Sequence, residues 1–169
     1  MKTKKCIETL TGHTGYVLTL YELQNGNLVS GSSDGTIKIW NMTTNTCIET
    51  LVGHTGYVLS LYELKNGNLV SGSGDSSIKI WDMSSKVCIA TLEGHNDWVR
   101  SVAELKSGNI MSSSDDSTIK IWELKSYSCV STLIGHSSYV LTLIELNNGN
   151  IISGSDDTTI KIWEKKQLN

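Results

Sequence analysis

The chain has 169 residues, enough for one domain with a real core, and its 14 Lys and Arg face 17 Asp and Glu for a formal net charge of −3. No basic block is present, which argues against nucleic-acid binding, and the longest apolar runs are far short of a membrane span. In the basic opening MKTKKCIETL, Glu8 and Thr9 interrupt the apolar stretch that a signal peptide needs, so a cytoplasmic protein is expected.

The first element in chain order is KCIETL (5–10), which alternates apolar and polar side chains as a strand does. GYVLTLYEL (15–23) and NLVSGS (27–32) read as two more strands. Asn25-Gly26 between them predicts a two-residue hairpin turn, because both residues tolerate positive φ. Asp34-Gly35 then turns the chain into TIKIW (36–40), rich in β-branched and aromatic residues. No proline removes a ladder donor anywhere, and no stretch sustains a 3.6-residue period that would predict a helix.

From here the pattern repeats. SGSSDGTIKIW (30–40) returns as SGSGDSSIKIW (71–81), SSSDDSTIKIW (112–122) and SGSDDTTIKIW (153–163), always 41 residues on. Gly-His returns at Gly12-His13, Gly53-His54, Gly94-His95 and Gly135-His136, and the hairpin turn at Asn66-Gly67, Ser107-Gly108 and Asn148-Gly149. No linker interrupts the series, so residues 1–169 form one repeat array with units at about 12–51, 53–92, 94–133 and 135–166. A unit of four short strands cannot bury both its faces alone, and stacking units side by side is the propeller solution.

Gly-His followed by SGSxDxTIKIW resembles the WD-repeat β-propeller family over essentially the whole chain. The Trp-Asp dipeptide is intact only at Trp81-Asp82; Trp40-Asn41, Trp122-Glu123 and Trp163-Glu164 depart from it. The resemblance implies an all-β fold of four blades. It also implies one buried hydrogen-bonded set per blade: His13-Ser30-Asp34-Trp40, His54-Ser71-Asp75-Trp81, His95-Ser112-Asp116-Trp122 and His136-Ser153-Asp157-Trp163.

Ser, His and Asp in each unit could also be read as a nucleophile constellation. However, no GxSxG strand-turn-helix context presents a serine, and four tandem copies of one active site would be peculiar, so no catalytic residues are assigned. No cofactor is implied. The histidines all occupy Gly-His positions, seven residues from the nearest cysteine, unlike the close ligand pairs of zinc sites. Cys6, Cys47, Cys88 and Cys129 share one repeat phase and stand roughly 10 Å apart in neighbouring sheets, too far for disulfides. They are expected to be reduced, inert, small apolar side chains on a strand. Glu22, Glu63, Glu104 and Glu145 also repeat; backbone N–H groups or an IKIW lysine are expected to satisfy them, with an acidic ring around a central channel as the alternative.

Three residues beyond each His stands an aromatic: Tyr16, Tyr57, Trp98 and Tyr139. The resemblance places them on the upper face, where partners dock, and Tyr and Trp are common hot-spot residues. Two variable phases fall on the same face by resemblance, Leu18/Leu59/Arg100/Leu141 and Ser33/Gly74/Asp115/Asp156. The expected partner site therefore comprises Tyr16, Tyr57, Trp98, Arg100, Asp115, Tyr139 and Asp156, with the third unit the most individual. The expected function is a non-catalytic scaffold for other proteins or peptides. The alternative is a purely structural propeller, a fragment or a designed repeat protein, without a dedicated partner.

In family terms the chain opens with the outer strand of one blade, 5–10, and closes with the third strand of another, 159–163. Family rings usually close at seven or eight blades. Four blades would then be half a ring, and a homodimer that exchanges strand 5–10 is expected to complete an eight-bladed propeller.

Overall fold

The computed structural model describes residues 5–164. Its fifteen strands form four antiparallel sheets, each built from consecutive segments of chain. The first blade holds β1 (Val17–Glu22), β2 (Leu28–Ser32), β3 (Thr36–Asn41) and β4 (Thr46–Val52) in that spatial order. The second holds β5 (Val58–Glu63), β6 (Leu69–Ser73), β7 (Ile78–Asp82) and β8 (Val87–Leu92). The third holds β9 (Val99–Glu104), β10 (Ile110–Ser114), β11 (Thr118–Glu123) and β12 (Ser128–Ile134). The fourth has three strands, β13 (Val140–Glu145), β14 (Ile151–Ser155) and β15 (Ile160–Trp163).

Burial follows from the sandwiching of one blade by the next. The second strand of an inner blade is covered on both faces, so every residue of β6 and β10 is buried. The last three positions of each hold only small side chains, SGS in β6 and SSS in β10, where the neighbouring blades press closest. In the third strand, Ile37 and Ile39 face the following blade, where they join Val58, Leu61 and Leu69 in one apolar cluster. The same packing joins Ile78 and Ile80 to Val99 and Val102, and Ile119 and Ile121 to Val140 and Leu143. Three inter-blade cores thus hold the array, and the sheets do not close into a ring.

In a single copy residues 5–10 pair with no strand and are exposed except for half-buried Leu10, since an alternating segment needs a neighbour to accept its hydrogen bonds. Two local expectations need correction. The hairpin turn is longer than two residues. Leu23 N–H bonds to Asn27 C=O at 2.8 Å, enclosing Gln24-Asn25-Gly26, and Gly26 N–H bonds to Leu23 C=O at 2.8 Å. Only Gly26 takes positive φ, 81°, while Asn25 uses its side-chain oxygen to accept the Asn27 N–H. The cysteines differ as well. Cys47, Cys88 and Cys129 lie on outer strands, but all four thiols are exposed rather than packed. An outer strand has a solvent side, and their phase falls on it.

Candidate functional site

Each blade carries one four-residue chain of side-chain hydrogen bonds. In the second blade Trp81 Nε1–H donates to Ser71 Oγ at 2.9 Å, Ser71 Oγ lies 2.7 Å from His54 Nε2, and His54 Nδ1 lies 2.8 Å from Asp75 Oδ2. The indole can only donate and the carboxylate only accept, so the bonds run from Trp through Ser and His to Asp, with the imidazole proton on Nδ1. Blades three and four repeat this, with Trp122 and Trp163 each 2.8 Å from Ser112 and Ser153, and His95 and His136 on Asp116 and Asp157. In the first blade His13 lies 2.7 Å from Ser30 and 2.9 Å from Asp34, with Trp40 donating to Ser30 at 2.8 Å.

The glycine before each histidine belongs to this packing. A Cβ on Gly53 or Gly135 would stand 3.0 Å from the far edge of Trp81 or Trp163, so a larger residue would push the indole out of place. The aspartate also ties the Gly-His loop to its own turn. Asp75 accepts the Thr55 N–H and the Ser77 N–H and hydroxyl, the last at 2.6 Å. Burial pushes the Asp75 carboxyl up, but hydrogen bonds from His54 and Ser77 outweigh it and hold the group well below the usual carboxylate range. Asp116 behaves in the same way, with His95 and Thr118 as its principal donors.

Thr36, Ser77, Thr118 and Thr159 are a fifth member that the sequence analysis missed, each hydroxyl 2.6 Å from its aspartate. Their signal was present as an Asp-x-Thr/Ser spacing kept in all four copies. The serines at the centre are buried, each already accepting an indole N–H, and cannot meet a substrate as nucleophiles. Among the described residues no group of three or more His, Cys, Asp and Glu could hold a metal ion.

The repeated glutamates work between blades. Glu63, Glu104 and Glu145 accept the backbone N–H of Gln24, Lys65 and Lys106 at 2.7, 2.7 and 2.6 Å, each from the hairpin turn of the preceding blade. The lysine involved is a turn residue, Lys65, whose Nζ stands 3.5 Å from Glu104 Oε1, rather than an IKIW lysine. Lys38, Lys79 and Lys120 bond instead to threonines of the outer strand, Lys38 to Thr50 at 2.9 Å.

Tyr16, Tyr57, Trp98 and Tyr139 each stand just before the first strand of a blade, at one edge of the array. The Ser33/Gly74/Asp115/Asp156 phase meets the aromatics there, because the Asp115 N–H bonds to the Trp98 C=O at 2.9 Å and the Asp156 N–H to the Tyr139 C=O at 2.9 Å. In the third blade this edge is built differently from the others. Arg100 pairs with Asp115 through two bonds, Nε to Oδ1 at 2.7 Å and a terminal nitrogen to Oδ2 at 2.6 Å. Its guanidinium lies 4.8 Å from the Trp98 ring centroid, and Trp98 meets Tyr57 of the second blade edge-on at 5.4 Å. Gly74 makes room, since a Cβ there would touch the Trp98 ring at 3.3 Å. Asp115 is buried beneath the arginine, whereas Tyr57 and Tyr139 remain nearly half exposed. Tyr16 is exposed at the first blade, and Asp156 is exposed in a blade that carries Leu141 at the arginine phase.

Four segments, residues 4–41, 45–82, 86–123 and 127–164, match the family described as WD domain, G-beta repeat. Over 45 residues the chain is 42% identical to an uncharacterized WD repeat-containing protein of Schizosaccharomyces pombe, a stretch that covers 26% of this chain and 12% of the yeast protein. Among solved structures, that of U3-55K shares the fold with a TM-score of 0.86 at 25% identity, covering 94% of this chain and 52% of the other. The chain therefore spans about half of that structure and a small part of the yeast protein.

Proposed function

Because the chain belongs to the WD domain, G-beta repeat family, we propose that it is a scaffold that binds a partner protein or peptide at the edge carrying Tyr57, Trp98, Arg100 and Asp115. Propellers of this family generally serve as interaction scaffolds without chemistry of their own. The observation that carries the reading is the Arg100 side chain, held by Asp115 and stacked on Trp98 while still partly open to solvent. An arginine so fixed loses little freedom on binding, and its remaining N–H groups can meet a carboxylate or carbonyl of a partner. Aromatic and arginine anchors of this kind dominate binding energy.

The face acts within a ring of eight blades made from two copies, a reading supported by the open ends of the four-blade arc. Four exposed free thiols suit a reducing compartment, and a cytoplasmic setting is inferred from them.

The test exchanges the third-blade pair for that of the second blade. Arg100→Leu with Asp115→Gly reproduces Leu59 and Gly74, leaving no buried carboxylate unpaired, so the melting midpoint should hold. A partner captured with the unaltered chain should bind this variant at least about 10-fold more weakly, the loss of one anchor. Unchanged binding, together with loss on substitution of the hairpin turns at the opposite edge, would overturn the assignment.

A further inference from the structure

Resting on the two-copy ring, we infer that the chain's two end faces are the two halves of one inter-blade junction, and that a second copy docks head-to-tail on both. The repeat gives each surface residue an internal standard. Val58, Val99 and Val140 are fully buried by the blade before them, yet their counterpart Val17 is 53% exposed; Leu20 is 60% exposed where Leu61 and Leu143 are buried. At the other end Ile160 and Ile162 are 76% and 65% exposed, while Ile37, Ile39, Ile78, Ile80, Ile119 and Ile121 are buried. The isoleucine face of the last blade is the surface on which β5, β9 and β13 sit inside the array, and β1 presents the side chains that fit it.

The polar contacts match in the same way. Each inner junction joins a turn N–H to a glutamate 39 residues later, as from Lys106 to Glu145. Carried round a ring of two copies, that offset brings the Asn147 N–H of one copy to the Glu22 carboxylate of the other. Among the described residues no hydrogen bond joins either group to a partner within the chain. An unrelated apolar partner would leave that donor and acceptor unmatched, and a second copy matches both.

The backbone completes the fit. In the first blade Ile37, Lys38 and Trp40 pair with Leu51, Thr50 and Cys47 of β4. Among the described residues the fourth blade has no outer strand, and CIETL at 6–10 repeats Cys47–Leu51 without change. In the same register Ile160, Lys161 and Trp163 of one copy pair with Leu10, Thr9 and Cys6 of the other. Lys161 then meets Thr9 as Lys38 meets Thr50. Each copy donates a strand and receives one, so the two junctions are identical and the assembly closes.

The experiment uses the full chain with Leu20→Glu or Ile162→Lys. Both residues are exposed in a single copy, so circular dichroism and melting should show folded proteins. Each variant alone carries a buried unpaired charge at both junctions, and its dimer dissociation constant should rise at least about 100-fold in analytical ultracentrifugation. An equimolar mixture should restore a one-to-one dimer, with one junction charge-paired and the other unaltered. Variants that still dimerise like the parent chain would overturn the inference. So would single-variant loss without recovery on mixing, which would leave a two-copy assembly joined by other faces. A monomeric parent chain would remove the ring as well, while the partner site at Trp98 and Arg100 is read separately by its own binding test.

Discussion

The carboxylate of Glu104 accepts the backbone N–H of Lys65 at 2.7 Å, across the boundary between the second and third blades. The Glu104 side chain is 5% exposed, whereas the Lys65 side chain with its ammonium is 63% exposed. Glu104→Ala should therefore cost about 1–3 kcal/mol by removing a charged acceptor from the junction between blades. Lys65→Ala removes only the exposed ion pair and should change stability by less than about 1 kcal/mol. Urea titrations of the two variants check the contrast; equal losses would mean that the ion pair, not the backbone bond, carries the junction.

The tetrads make a second prediction. Trp81→Phe loses the indole donor and some packing volume, for about 1–3 kcal/mol. Ser71→Ala leaves both the Trp81 N–H and His54 Nε2 without their partner and should cost more than Trp81→Phe. Thermal melts decide the order, and unchanged midpoints would show that the chain of bonds contributes nothing to the blade.

Acid should weaken the protein through the same groups. The carboxyls of Asp75 and Asp116 titrate below their ordinary range in the folded state, while in the unfolded chain they titrate near about 3.9. Groups depressed in this way contribute stability that is complete well above the unfolded value and is lost as pH falls toward the folded value. Melting midpoints should be level from about pH 7 to 5 and drop below about pH 4. Asp116→Asn should lower the plateau and flatten the acid limb; an acid limb identical to that of the parent would exclude Asp116 as a source.

Two departures between copies should be correctable. Gly35 takes φ 78° in its turn, and Thr158 holds the same place in the fourth blade at φ 67°. A β-branched residue is strained there, so Thr158→Gly should stabilise by about 1 kcal/mol. Ser113 replaces the glycine of the other blades, Gly31, Gly72 and Gly154, and its buried hydroxyl has no hydrogen-bond partner. Ser113→Ala should stabilise by about 1 kcal/mol as well. Differential scanning calorimetry reads both, and a fall in either midpoint would contradict the stated cause.

How much of this was legible beforehand depends on the range of each interaction. The blades and the sets around Trp40, Trp81, Trp122 and Trp163 were legible because their members keep one spacing through four copies. The Asn25-Gly26 turn was placed correctly but given the wrong geometry, since one residue of φ choice separates a two-residue from a three-residue loop. Residues 5–10 have the alternation of a strand, but pairing is a property of the neighbour and cannot be read from the segment itself. The need of Glu104 for a backbone N–H was foreseen in kind. Its donor, Lys65, lies a full blade away, and no local pattern points to it. Arg100 and Asp115 were singled out separately by their variation; their bidentate pairing follows from the hairpin that brings the two strands together.

The mass of the unaltered chain in solution, followed by light scattering as the protein is diluted, tests the central claim most directly. Two arcs of four blades that complete each other should scatter at twice the 18.5 kDa chain mass and separate only on strong dilution. Removing residues 1–10 should weaken that dimer by taking away the exchanged strands. A well-folded particle of 18.5 kDa at every concentration, with or without residues 1–10, would contradict the account.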